Sequence, residues 1–204
     1  GSRVYIHEKI YDKVLEGAVE RLSKLKMGNA LDETSDIGAI ISEEQLKRTL
    51  YYMDIAKKNS STKILHGGNQ SKGGEYKDGF YYEPTLLSGL PVSSPVCQEE
   101  VFGPVACAIP FKSFDEVMKS ANDTQFGLSA VLWTKDLSRA LQFVDEIEAG
   151  FVQVNQCVAP RANVSYGGIK MSGLGKEYAF DSMMNHFTQS KTVLINRGKS
   201  NIDV

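Results

Sequence analysis

The sequence predicts an α/β chain in which a parallel sheet carries helices on both faces. Two observations lead there. Short β-prone apolar runs recur at Lys63–His66, Val105–Phe111, Leu128–Trp133 and Phe151–Asn155. Helical periodicity occupies several of the intervals between them. Strands that alternate with helices imply right-handed crossovers and a sheet buried on both sides.

The elements follow in order. Arg3–Ile6 is short and β-prone. From Lys9, apolar residues at Ile10, Val14, Ala18, Leu22 and Leu25 recur at helical steps, and Gly28 suits a helix C-terminus. Asn29–Ile40 is a polar loop. Ser42-Glu43-Glu44-Gln45 reads as a capping box, with Ser42 as N-cap and Gln45 at the third helical position. Leu46, Leu50, Met53 and Ala56 give that helix an apolar stripe, and Tyr52 and Met53 read as packing residues. Gly67–Gly79 is a polar, glycine-rich surface loop, and Tyr81–Thr85 is extended. Ser113-Phe114-Asp115-Glu116 is a second capping box, opening a helix to about Ala121. Leu137–Ile147 is helical and stops at Gly150. Lys176–His186 is helical, Thr192–Ile195 is a terminal strand, and the tail after Asn196 is polar.

Totals narrow the function classes. A net charge of −2 over 204 residues gives no electrostatic case for nucleic acid or an anionic membrane. No apolar run approaches the roughly 18 residues that a membrane helix needs, and no signal-peptide pattern opens the chain. The three cysteines, Cys97, Cys107 and Cys157, form no C-x-x-C pair, which suits a reducing cytosol rather than a disulfide framework or zinc site. The expectation is a cytoplasmic protein without nucleic-acid or membrane partners.

The most informative stretch is Gln98-Glu99-Glu100-Val101-Phe102-Gly103-Pro104-Val105. Gly103-Pro104 forbids helix continuation, because proline lacks an amide hydrogen and drives the preceding residue out of the α region. Glu100 and Phe102 therefore sit on a fixed turn before a core strand. Such a turn is either a polar connection with one anchoring phenyl group or a rigid loop that holds binding groups.

Other motifs fail their tests. Gly168 and Gly173 have the spacing of a Walker loop, but Leu174 stands where Lys-Ser/Thr belongs. A dinucleotide G-x-G-x-x-G fails as well, because Tyr178 follows Gly173-Leu174-Gly175 where the third glycine belongs. These glycines read as turns or close backbone approaches. His7, His66 and His186 have no metal spacing and read as structural or solvent-facing. Cys157 follows a buried strand and is the one tempting nucleophile, but no neighbour in sequence would lower its pKa.

Glu-Glu-Val-Phe-Gly-Pro-Val resembles a hallmark of the aldehyde dehydrogenase family. So do Asn122–Leu128, Gly150–Asn155 and Tyr166–Glu177, in the family's order, and the similarity runs from Gly1 to about Ile195. The resemblance implies an incomplete aldehyde dehydrogenase-like catalytic domain over 1–189 and an oligomerisation strand and tail over 190–204. It implies oxidation of an aldehyde to a carboxylic acid with NAD or NADP, through a cysteine thiohemiacetal and thioester. In the family the nucleophile lies just upstream of a segment like Gly1-Ser2-Arg3, and the general base lies further upstream. The expectation is thus that this chain holds no catalytic residue, binds no metal and is inactive alone.

By motif match, Glu100 resembles the glutamate that binds the nicotinamide ribose, and Phe102 the aromatic residue beside the nicotinamide. Gln45 and Arg48 fall where the family places a cofactor-contacting Gln and Lys, with Arg48 a departure from the commoner Lys. Tyr166 matches an aromatic wall of the aldehyde tunnel, and Gln156 and Val158 fall in the variable substrate loop. The terminal strand implies a homo-oligomer, dimer or tetramer. The competing expectation is a non-catalytic scaffold or oligomerisation module of the same fold.

Overall fold

A computed structural model of the protein describes residues 1–196. Their contacts divide into two units. The first comprises Gly1–Gln125 and Leu141–Ile147; the second comprises Phe126–Ala140 and the chain from Glu148 onward.

The first unit is built on β1 (Arg3–His7), α1 (Tyr11–Leu22), α2 (Glu43–Lys58), β2 (Lys63–His66), β3 (Gln70–Ser71), β4 (Tyr81–Tyr82), β5 (Thr85–Ser88), α3 (Pro95–Gln98), β6 (Val105–Phe111) and α4 (Phe114–Asn122). Its sheet has the order β1-β6-β5-β2. β1, β6 and β5 run parallel, as expected, whereas β2 is antiparallel to β5. The sheet is therefore mixed. A second hairpin pairs β3 with β4, inside and beside what the sequence reads as loop.

Alternation along the strands buries both faces. On one face Leu87, Val105, Cys107 and Ile109 pack with Leu46, Tyr52, Met53 and Ala56 of α2 and with Val96 and Cys97 of α3. On the other, Ile6, Leu86 and Ala108 pack under Tyr11, Leu15, Ala18, Val19 and Leu22 of α1. Arg3 and Tyr5 of β1 instead reach the C-terminal turn of α4. Arg3 donates to the carbonyls of Ser120 (3.3 Å) and Ala121 (3.1 Å), and the Tyr5 hydroxyl donates to that of Ser120 (3.0 Å). A guanidinium at unsatisfied helix-end carbonyls is favourable both as donor and as charge.

Helix boundaries depart from the periodicity at two points. α1 ends at Leu22 with Ser23 as C-cap, so Gly28 is not its terminator; Gly28 instead donates to the Ile37 carbonyl across the polar loop (3.0 Å). On α2, Leu46, Met53 and Ala56 are buried as expected, but Leu50 is partly solvated and Thr49 takes its place in the packed stripe.

The second unit contains β7 (Phe126–Gly127), β8 (Ser129–Leu132), the first turn of α5 (Leu137–Glu146), β9 (Phe151–Val154), β10 (Ile169–Lys170) and α6 (Phe180–Phe187). β8 and β9 are parallel; β7 and β10 are antiparallel. α6 starts later than expected, because Glu177 pairs its backbone with Tyr166 and Tyr178 takes a left-handed φ of 66°. Thr192–Ile195 makes no strand pairing among the described residues, and the tail beyond Asn196 lies outside them. No helix among the described residues is long and apolar enough to cross a membrane.

One core residue has a titratable consequence. Tyr82 is buried and its hydroxyl has no hydrogen-bond partner among the described residues. Burial pushes its pKa up to about 12. An unfolded tyrosine ionises near 10, so the unfolded state loses the proton first and this residue's contribution to stability falls as pH rises from there toward 12. Tyr82→Phe is expected to be neutral or stabilising by up to about 1 kcal/mol at pH 7, since it removes an unsatisfied polar group. Urea midpoints for both proteins across the alkaline range check this: the gap in favour of the Phe variant should widen as pH rises.

Candidate functional site

The turn between α3 and β6 is held by the exposed edge of α2. α2 begins where the Ser42 hydroxyl accepts from the Gln45 amide (3.2 Å), as a capping box requires. The reciprocal half of the box is absent. The Gln45 side chain does not return to Ser42; its amide nitrogen donates to the carbonyls of Val101 (2.8 Å) and Phe102 (3.0 Å). One turn on, Arg48 donates to the Glu100 carbonyl from Nε (3.2 Å) and Nη2 (2.7 Å). Three consecutive carbonyls thus turn toward one helix. An extended strand points successive carbonyls to opposite sides, so the backbone has to leave β geometry here. It does so at Phe102, with φ 56°, a region that costs a non-glycine residue roughly 1–2 kcal/mol.

Gly103 completes the approach. A Cβ at this position would lie 2.5 Å from Thr49 Oγ1, and Thr49 is fully buried with its hydroxyl bonded to the Gln45 carbonyl (3.1 Å). Pro104 then ends the turn, its carbonyl accepting from the Thr85 amide (2.7 Å) and joining β6 to β5.

Two side chains are left displayed. Glu100 is exposed, and its carboxylate makes no hydrogen bond or ion pair among the described residues. Phe102 is 68% exposed although its neighbour Val101 is buried. A free carboxylate can accept from two hydroxyls at once, which suits a vicinal diol, and a solvated phenyl face suits a flat ring. These groups fit a nicotinamide ribose and its ring. Gln45 and Arg48 of α2 and Glu100 and Phe102 of the turn are thus brought to one place.

Sequence reasoning missed the support beneath them. Tyr52 is only 3% exposed, and its hydroxyl donates to Glu99 Oε2 (2.6 Å) while accepting from Arg48 Nη2 (3.3 Å). The Arg48 guanidinium also lies over the Tyr52 ring, 5.4 Å from its centroid. Burial, and then the bond to Glu99, hold the Tyr52 phenol above its ordinary pKa, so it stays a donor. The available signal was the four-residue spacing of Arg48 and Tyr52 on one helix face.

The three remaining expected site residues belong to the second unit. The Tyr166 ring sits edge-on to Phe151 (5.2 Å between centroids) and to Tyr178 (6.0 Å). Its backbone pairs with Glu177 in both directions, at 3.0 and 2.7 Å. Lys176 Nζ ties the adjoining turn by donating to the Gly167 carbonyl (2.9 Å). A Cβ on Gly150 would fall 1.9 Å from that same carbonyl, which explains a glycine there. Gln156 is exposed, and the Val158 amide donates to the side chain of buried Gln153 (2.9 Å).

Two of the three histidines bond to backbone. His66 Nδ1 lies 2.8 Å from the Pro84 carbonyl, and His7 Nδ1 accepts from the Lys9 amide (3.2 Å). No group of metal-ligating side chains occurs among the described residues. The Cys107 thiol is pushed up by its hydrogen bond with Cys97 and by burial, so it is not a thiolate. Cys157 is exposed and free.

Comparison with known proteins bears on this geometry. The chain is 40% identical over 194 residues to an aldehyde dehydrogenase of Rhodospirillum rubrum and 39% identical to aldehyde dehydrogenase B of Escherichia coli. Each alignment covers 95% of this chain and 38% of the relative, so the chain spans well under half of their length. Among solved structures it is similar to betaine aldehyde dehydrogenase of Staphylococcus aureus in complex with NAD+. The TM-score is 0.86 at 32% identity, over 91% of this chain and 37% of the other. The model of the aldehyde dehydrogenase family matches residues 1–193, and the turn built on Glu100 and Phe102 lies inside that match. This chain belongs to the aldehyde dehydrogenase family.

Proposed function

We propose that the complete protein carrying this chain oxidises an aldehyde to a carboxylic acid with NAD or NADP. In this reading a cysteine thiohemiacetal and thioester are formed by groups outside residues 1–204. The observation that carries the proposal is the turn held by α2, which leaves both a free carboxylate and a phenyl ring exposed to solvent. Glu100 would hold the ribose hydroxyls and Phe102 would pack beside the nicotinamide, with Gln45 and Arg48 at the same edge. Such a cofactor, when bound, supplies two-electron oxidation. The NAD+ complex of the Staphylococcus aureus neighbour supports this class of cofactor. Tyr166, Gln156 and Val158 would line the aldehyde's path. Thr192–Ile195 would join a sheet between subunits in a cytoplasmic dimer or tetramer, a form of strand addition. The exposed Val193, Leu194 and Ile195 are suited to that burial.

The test is NADH or NADPH formation with a panel of aldehydes that includes betaine aldehyde. The complete protein is expected to turn over, and residues 1–204 alone are expected to show no turnover and weak cofactor binding. Turnover by residues 1–204 that Cys157→Ser abolishes would move the nucleophile to Cys157 and end this reading. A complete protein that neither binds the cofactor nor oxidises any aldehyde would favour a scaffold.

A further inference from the structure

We infer that Tyr52 and Glu99 are positioning residues, forming with Gln45 and Arg48 a latch that presets the turn carrying Glu100 and Phe102. Its functional consequence rests on the cofactor reading above. The turn is anchored at both ends and along its length. At its start, the Glu99 carboxylate accepts from the Tyr52 hydroxyl at 2.6 Å. Through its middle, the carbonyls of Glu100, Val101 and Phe102 are held by Arg48 and Gln45. At its end, Gly103 is pressed on Thr49. Every one of these partners lies on α2, whose inner face is locked into the core by Leu46, Met53 and Ala56.

The latch has something to oppose. Phe102 combines a left-handed backbone with a largely solvated ring. Neither is favourable by itself, and such strain persists only where the surroundings over-determine it. The Tyr52–Glu99 bond is the member with a charged acceptor and a buried donor, which is the stronger kind. It also restrains Arg48, whose Nη2 serves both Tyr52 and the Glu100 carbonyl. Removing the Tyr52 hydroxyl should therefore loosen Glu100–Phe102, to which it makes no hydrogen bond of its own. A loosened turn has to be ordered again when the cofactor binds, which weakens affinity.

Tyr52→Phe keeps the buried ring and deletes only the donor. Glu99→Ala, on an exposed side chain, is the second variant, and Glu99→Gln is the conservative one that keeps an acceptor. In the complete protein, exchange of the Gln45 side-chain amide and Arg48 Nε protons, which the turn carbonyls accept, is expected to rise about tenfold in Tyr52→Phe and Glu99→Ala, the size of one charged hydrogen bond. Backbone amide exchange in β6 should be unchanged, and Glu99→Gln, which keeps a neutral acceptor, should restore part of the protection. NAD affinity by calorimetry is expected to fall about tenfold in the same two variants, by the same conversion. Wild-type exchange of those Gln45 and Arg48 protons in both variants would overturn the latch. Raised exchange in a protein whose wild type binds no NAD would support the latch while removing the cofactor reading, so the two failures are distinct.

Discussion

Leu87→Ala is expected to destabilise the first unit by about 2–5 kcal/mol, the usual range for truncating a fully buried leucine. Leu87 is 0% exposed. It stands on β5, an interior strand, opposite Cys107 of β6 and Ile64 of β2. It belongs to the cluster that seats α2 and α3 on the sheet. Its neighbours are therefore held by three strands and two helices, and the site has little freedom to collapse around the missing methyls. The loss should fall near the upper part of the range for that reason. Urea titration followed by circular dichroism measures it, with Leu31→Ala as the control. Leu31 is 93% exposed on the polar loop, and its truncation should stay within about 0.5 kcal/mol. A Leu87→Ala loss no larger than the control's would mean that the core does not close where the burial pattern places it.

Features set by neighbouring residues were legible in the sequence. β6 spans Val105–Phe111 as read, because Gly103-Pro104 marks its start and its own apolar run marks its extent. Both N-caps hold: Ser42 accepts from Gln45, and Ser113 accepts from Glu116 (3.2 Å). What failed was the return half of each capping box. The Glu116 carboxylate accepts from the Lys112 amide (2.9 Å), one residue before the cap, and Gln45 leaves its helix for the turn 56 residues away. A helix-end donor can be satisfied by water, whereas turned-in carbonyls at the foot of a core strand have fewer alternatives. Long-range competition of that kind leaves no mark on local spacing. The same holds for the direction of β2, which depends on the partner it meets rather than on its own four residues. The pairing of Tyr52 with Glu99 is likewise separated by 47 residues. Gly103-Pro104 and the apolar run after it placed Glu100 and Phe102 on a rigid turn; a role for them came from the family resemblance alone, since an exposed carboxylate and ring are not distinctive in composition.

Glu100→Ala separates display from positioning. Arg48 grips the Glu100 carbonyl, not its carboxylate, so the substitution leaves the latch intact and removes only the displayed acceptor. Exchange of the Gln45 side-chain amide and Arg48 Nε protons should stay at the wild-type level, in contrast to Tyr52→Phe. Cofactor binding should not. If one or two ribose hydroxyls donate to this carboxylate, each bond to a charged acceptor is worth about 1.5–3 kcal/mol. Because Glu100 is exposed in the free chain, water already solvates it and the lower end applies, or about tenfold in affinity per bond. Two bonds would bring the loss to about a hundredfold. Glu100→Gln keeps an acceptor without the charge and should fall between. Within the reaction, the step that oxidises the bound aldehyde should slow more than the step that consumes water, because only the former needs the nicotinamide in place. Burst and steady-state kinetics on the complete protein resolve the two. Equal, unchanged rates with wild-type NAD affinity would take Glu100 out of the cofactor site and leave the turn with a structural role alone.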